Sequence, residues 1–340
     1  MSWRFGDWSV PHPLPIGVSM RAAVGQSVTA GDLLANGTTL GPTVRVPGAR
    51  RIGVAAEDVT QVMRVAPGAE VERGTILART GRRFARAVSA PFAGRLAHVR
   101  SDGDFEIAPI VGRWSVRATL DGVVTLATDA EIVVDGAAWC LQGIAAYGPD
   151  AIGALALIAD GPEDEVSPSR VDVGQRDRIL VGGGRSGAES IARAHACGVA
   201  AIVTGAVPAS GLRAVFGDDI GAHGSSSRAD APTVLCLAGF GTSTLPAALY
   251  SPFSVFAGTR AAIHTASARL FVFADAASAA VPATSPSIAL AADWGGVRAL
   301  EGHVTLAADT RFASEIVAQA VSVDDTAVPA ANVIAFDAPR

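Results

Sequence analysis

Apolar and polar positions along this chain follow three successive rhythms. Between about residues 10 and 148, short apolar runs alternate with polar positions and break repeatedly at glycine, the pattern of short strands joined by tight turns. From Asp177 the rhythm changes. Arg178-Ile179-Leu180-Val181 reads as a strand, Ala188 to Cys197 as a helix ended by Gly198, and Val199 to Thr204 as a parallel strand. A short helix near Ser210–Phe216, a third strand over Thr233–Leu237 and a helix near Ser243–Leu249 complete a βαβαβα order. With right-handed crossovers, that order predicts a small parallel α/β domain over residues 150–262. The acidic, proline-containing run Asp160 to Pro168 reads either as a linker or as a loop inside that domain. After Ala276 the chain is rich in Ala, Ser and Pro as far as Pro286, a second linker. Residues 287–340 then alternate again, with strands expected at 296–300, 302–306, 316–321 and 333–336. The predicted fold class is multidomain: β, then α/β, then small β.

The first region repeats itself. Met20 to Ala35 aligns with Met63 to Ala78 at a constant offset of 43 residues, sharing the Met-Arg pair, Gly25 and Gly68, Val28 and Val71, Gly31 and Gly74, and a leucine at 34 and 77. The shared positions spell a strand, a tight turn, an inward valine, a second turn and a return strand. A weaker echo relates Val88-Ser89-Ala90 and Gly94 to Val116-Arg117-Ala118 and Gly122. Two such elements at each level predict interlocked β-units closing one pseudo-symmetric sandwich.

Composition narrows the function classes. Hydrophobic content of 49% with only 17% charged residues excludes a disordered chain. A net charge of -5 argues against a general nucleic-acid binder while leaving room for a local basic patch. Cys140, Cys197 and Cys236 lie far apart in apolar surroundings, as free thiols of a reducing compartment do. The N-terminus shows no apolar signal-peptide core, so the cytoplasm is the expected location. No charged residue falls between Asp230 and Arg260, yet the prolines and glycines in that stretch would break a spanning helix. A buried strand and short helix are expected there, with no membrane contact.

The run Val65-Ala66-Pro67-Gly68 through Gly74-Thr75-Ile76-Leu77, followed by Val88-Ser89-Ala90-Pro91-Phe92-Ala93-Gly94, resembles the biotinyl/lipoyl-type barrel-sandwich hybrid, here assigned to 10–148. That resemblance implies a hairpin presenting a lysine that carries biotin or lipoate. In this chain the hairpin turn reads Arg82-Arg83-Phe84, and all 27 basic residues are arginine. A permanently protonated guanidinium is not the amine nucleophile the attachment requires, so no biotin or lipoate is expected. Val328 to Ile334 resembles the closing turn of small SH3-like barrels of the KOW type, implying such a barrel over 287–340. The order of the three regions is similar to that of bacterial multidomain proteins of comparable length.

Two clusters carry candidate chemistry. Gly182, Gly184 and Gly187 match the dinucleotide fingerprint after a predicted strand and before a predicted helix. The acidic residue that would hold a ribose is missing after Val203-Thr204-Gly205, so the turn either binds a phosphate ligand or lets a helix pack closely on the sheet. Arg79, Arg82, Arg83 and Arg86 surround Phe84 at the expected hairpin tip. They form either a solvated loop or a grip for RNA phosphates, an anionic surface or a partner's carboxylates. A cation-binding turn at Asp218, Asp219 and His223 is a weaker candidate. Without a nucleophile elbow or a paired-carboxylate helix face, the sequence leans away from an enzyme and metals are not expected. The leading expectation is a binding or assembly protein whose partner is another protein or a second copy. The alternatives are a nucleotide-binding protein and an RNA- or transcription-associated factor.

Overall fold

The glycines shared by the repeat adopt the backbone its turns require: φ is +87° and +105° at Gly25 and Gly31, and +88° and +92° at Gly68 and Gly74. Only glycine enters this region without strain. The computed structural model describes residues 3–81, 85–217, 232–241 and 245–276, and between 288 and 336 the backbone of the strands. In the first copy of the repeat, the Gly25 amide donates to Val124 and the Gly31 amide to Ala118. In the second, Gly68 donates to Leu96 and Gly74 to Ala90. Each partner in the first copy lies 28 residues beyond its equivalent, so both echoes belong to one duplicated unit.

The copies do not clasp each other into one sandwich. The first unit pairs Leu33–Leu40 with Phe105–Arg117, and the second, residues 44–107, is inserted at the far end of that strand pair. The strand Phe105–Arg117 runs through both, pairing with Val44–Val46 and Gly94–Val99 at one end and with Leu33–Leu40 at the other. Each unit buries its own core. Val10, Leu34, Leu120, Val124 and Ile132 fill the first, and Ile52, Val59, Leu77, Val88, Leu96 and Phe105 fill the second. Insertion in line explains the difference from the expected single sandwich, because one continuous strand holds the two units end to end.

Substituting Gly68 with Val is expected to cost about 1–3 kcal/mol, because nothing crowds the site and the penalty is the backbone strain of a β-branched residue at positive φ. Thermal unfolding of the variant against the parent is the check. An unchanged midpoint would remove the turn from this position.

The strand Glu131–Gln142 joins the first unit to the rest. It pairs with Trp3–Pro13 along one edge, and with Gly122–Ala127 and Arg269–Val272 along the other. The same hydrogen-bonded sheet, thirteen strands among the described residues, continues through Arg260–His264 into four parallel strands: Ala151–Leu157, Arg178–Val181, Ala201–Val207 and Thr233–Phe240. It therefore crosses the expected border between residues 148 and 150 without interruption. The helices Ala188–Cys197 and Ala209–Phe216 bury Ile191, Ala194, Leu212 and Phe216 against one face of the parallel strands. Leu249, Phe253, Phe256 and Trp3 cover the other, which is why these strands read as unbroken apolar runs.

The uncharged stretch expected as strand and short helix is Thr233–Phe240 followed by Ala247–Tyr250 and Pro252–Val255. Among the described residues, no helix is long and apolar enough to cross a membrane. Asp160 to Pro168 is a loop of this region, with Glu165–Val166 pairing onto Arg185–Ser186. In the tail, Ile288–Asp293 pairs antiparallel with Gly296–Glu301 and Val333–Phe336, and Ala320–Val323 with Val304–Leu306 and Thr326–Pro329. The fold as a whole is β-dominated, with several sheets, few and short helices, and more than one core.

Candidate functional site

The glycine-rich turn and the basic hairpin end differ in what surrounds them. At the turn, Gly182 donates to Val203, while Gly183 and Gly184 accept from Gly205 and Ala206, so the glycines extend the ladder beside Ala201–Val207. Thr204, where the sequence shows no acid, is buried and donates to the Gly183 carbonyl at 3.2 Å. The space a side chain would need is filled by the protein itself. A Cβ on Gly182 would lie 2.4 Å from Val166 Cγ2, and one on Gly183 would lie 2.5 Å from the Gly161 carbonyl oxygen and 2.6 Å from that of Asp164. Gly187 precedes the helix Ala188–Cys197, whose N-terminal end borders a groove of about 380 Å³. Two carboxylates, Glu165 and Glu189, line that groove and oppose an anion at the helix end. His195 and Cys197 lie in the last turn of this helix, Cys197 half-buried.

The basic cluster belongs to the second β-unit. Its hairpin, Ile76–Thr80 paired with Arg86–Ser89, holds Arg79 and Arg86 exposed, directly opposite Ala87 and Thr80. Arg82, Arg83 and Phe84 lie outside the described residues, as do Asp218, Asp219 and His223. The structure adds two arginines from outside the basic run. Arg50 and Arg51 are exposed on the one-turn helix Ala49–Ile52, which packs against both strands of the hairpin. Thr80 Oγ1 donates to the Ile52 carbonyl at 3.4 Å, and the Arg86 guanidinium lies across Gly53 at the helix end, where a cation is favoured. The run Gly48-Ala49-Arg50-Arg51-Ile52-Gly53, a basic turn between two glycines, is the signal in the sequence that could have found them.

Three other arginines of this unit are matched to acid, while Arg64 and Arg73 are exposed without a carboxylate partner among the described residues. Arg45 pairs with Asp102 and Asp104 at 2.9 and 2.6 Å, Arg95 with Glu70 at 3.2 Å, and Arg100 with Glu106 at 2.7 Å. The Gly48 amide and then Arg45 hold the Asp104 carboxyl below its usual range, and Arg100 does the same for Glu106. Arg50, Arg51, Arg79 and Arg86 have no carboxylate partner among the described residues. The same unit carries a groove of about 570 Å³ lined by Met63, Val65, Pro67, Val99, Arg64 and His98.

Two buried histidines and two buried cysteines are held in their neutral forms. The His12 ring accepts from the Thr119 amide at 3.1 Å and stands 5.2 Å from the His264 ring, which bonds Ser267 Oγ at 2.7 Å. Burial first, and then the neighbouring His264, pushes His12 down to about 4; burial and then Arg269 do the same to His264. Burial pushes the Cys140 and Cys236 thiols up to about 12, which leaves them unreactive. No cluster of three or more His, Cys, Asp or Glu side chains able to hold a metal ion occurs among the described residues. No family model, curated protein or solved structure matches the chain.

Proposed function

We propose that this chain is a binding or assembly protein that uses unmodified biotinyl/lipoyl-like β-units as rigid surfaces, with the second unit as its docking element. The observation that carries the reading is a set of four exposed arginines, brought together by a helical turn packed on a hairpin and without carboxylate partners among the described residues, on a unit with its own core inserted at the far end of the first unit's strand pair. Exposed, unpaired guanidinium groups are available to a partner's acceptors without first breaking an internal bond. The duplicated turns and ladder support the biotinyl/lipoyl-like assignment, and the parallel strands with their flanking helices support a central α/β region. The short antiparallel pairs between 288 and 336 are compatible with an SH3-like module.

The test is mass and assembly measured together. The intact chain, co-expressed with biotin- and lipoate-attaching ligases, is expected to keep its sequence mass. Arg50→Ser/Arg51→Ser/Arg79→Ser is expected to retain the parent's thermal midpoint, since exposed substitutions usually shift stability by less than about 0.5 kcal/mol. The same variant is expected to lose a co-purifying partner or a self-assembled state seen by native mass. A prosthetic adduct on the parent, or identical assembly of parent and variant, would refute the reading.

A further inference from the structure

The charge of the second β-unit is out of keeping with the rest of the chain. Residues 44–107 carry eleven arginines and seven acidic residues, a formal +4, within a chain whose net charge is -5. Three of the eleven, Arg45, Arg95 and Arg100, are held in ion pairs with Asp102, Asp104, Glu70 and Glu106, and Arg64 and Arg73 are exposed elsewhere on the unit. Arg50, Arg51, Arg79 and Arg86 are exposed on a helical turn and two strands in mutual contact, with no carboxylate partner among the described residues. A self-contained unit concentrates positive charge at its end while the remainder of the molecule is acidic. That arrangement orients a polyanion onto one place and repels it from the others.

The surface between these guanidinium groups favours phosphate over a folded protein partner. The described residues around them are Gly53, Thr80, Gly81, Ala85 and Ala87, small or polar; Phe84, between Gly81 and Ala85, lies outside the described residues. The large exposed apolar side chains of the unit, Val44 and Ile76 among the described residues, sit on the strands away from the turn. Protein interfaces draw most of their energy from desolvated apolar and aromatic anchors. A phosphodiester backbone needs none, because releasing its condensed counterions to a row of guanidinium groups supplies the affinity.

We infer that the arginine end of the second β-unit, Arg50, Arg51, Arg79 and Arg86, binds the phosphate backbone of single-stranded nucleic acid without sequence preference. The inference rests on the reading of this unit as the docking element and names its partner class.

The experiment is fluorescence anisotropy of the full chain with a labelled polyuridylate, at salt concentrations from about 50 to 200 mM. Four phosphate contacts predict a slope of log K against log salt near -3, an affinity loss of about 50-fold over that range. Arg50→Ser/Arg51→Ser/Arg79→Ser leaves Arg86 across Gly53, so the helix end stays capped; its slope is expected to fall below about 1 in magnitude. The control Arg113→Ser/Arg176→Ser/Arg213→Ser makes the same charge change outside the unit and is expected to bind as the parent does. No binding by the parent at the lowest salt would overturn the inference, as would equal weakening in both triple variants. Competition by polyglutamate as effective as polyuridylate would make the partner a carboxylate polymer and also overturn it. If RNA binding fails while a partner still depends on these arginines in native mass, the docking reading survives without the phosphate assignment; if both fail, both are wrong.

Discussion

Lowering the pH from 7 to about 4 is expected to loosen the large sheet at the joint between Trp3–Pro13 and Arg260–His264, starting before the surface carboxylates begin to titrate. His12 and His264 are almost fully buried, lie ring to ring, and have folded-state values near 4 against about 6.5 when free. The unfolded chain therefore takes up two protons between pH 6.5 and 4 that the folded chain refuses. Their contribution is fully present above about 6.5 and is lost as pH falls toward 4, opposite to a histidine that gains an anionic partner on folding. Both rings are shifted in the same direction, so their losses reinforce each other, with the mutual repulsion belonging to the pair and not to either ring. Asp150 opposes the loss: its charge raises His12, and burial raises its own carboxyl, which favours the folded state as pH falls. Carboxylates held below their usual range, such as Asp104 and Glu106, lose their contribution only at still lower pH. The measurement is the urea midpoint followed by tryptophan fluorescence at several pH values, for the parent and for His264→Gln. A steep fall in the parent and a shallower one in the variant are expected. A flat parent profile across this window would show that the rings are protonated without cost.

Neither of these histidines could have been singled out from the sequence. His12 stands between two prolines and His264 ends a strand 252 positions later, and nothing local marks either as the other's neighbour. Their meeting depends on the return of Arg260–Val272 to the sheet that Glu131–Gln142 begins, a long-range pairing that leaves no periodic trace. The repeat was legible for the opposite reason. A turn that demands positive φ selects glycine, and an inward valine at fixed distance from it follows from strand geometry, so each copy carries its own local signature. The signature identifies which segments are equivalent without saying whether they share a core. The order of the halves, with 63–99 enclosed between 20–40 and 110–127, fits a nested arrangement as well as a clasped one, and separate burial of Leu34 and Leu77 distinguishes them. At the hairpin, Arg79 and Arg86 were visible as members of a basic run. Arg50 and Arg51 were not, because their proximity depends on a four-residue helix that packing against the hairpin holds in place.

The glycine-rich turn offers the second large effect. Gly183→Ala is expected to destabilise the parallel region by about 2–4 kcal/mol, whatever ligand is present. The new methyl would press on two carbonyl oxygens and on the Asp164 amide at 2.8 Å, all of them backbone atoms of one loop. That loop has little freedom to retreat. The Asp164 carboxylate accepts from the Asp160 and Gly161 amides at 2.7 and 3.0 Å, and Glu165 and Val166 are paired onto Arg185 and Ser186. Gly187→Ala should be mild by comparison, because its φ of -85° suits any residue and its nearest neighbour, Glu165 Oε1 at 3.2 Å, ends a flexible side chain. A phosphate site would reverse the emphasis, since the residue that opens the helix would then approach the ligand. Melting curves with and without millimolar ATP or NAD separate the two accounts. Close packing predicts a large loss for Gly183→Ala, a small one for Gly187→Ala and no ligand shift in the parent. A ligand-induced rise in the parent that Gly187→Ala abolishes would instead make the turn a nucleotide site, because only a ligand that binds the folded state can raise its melting point.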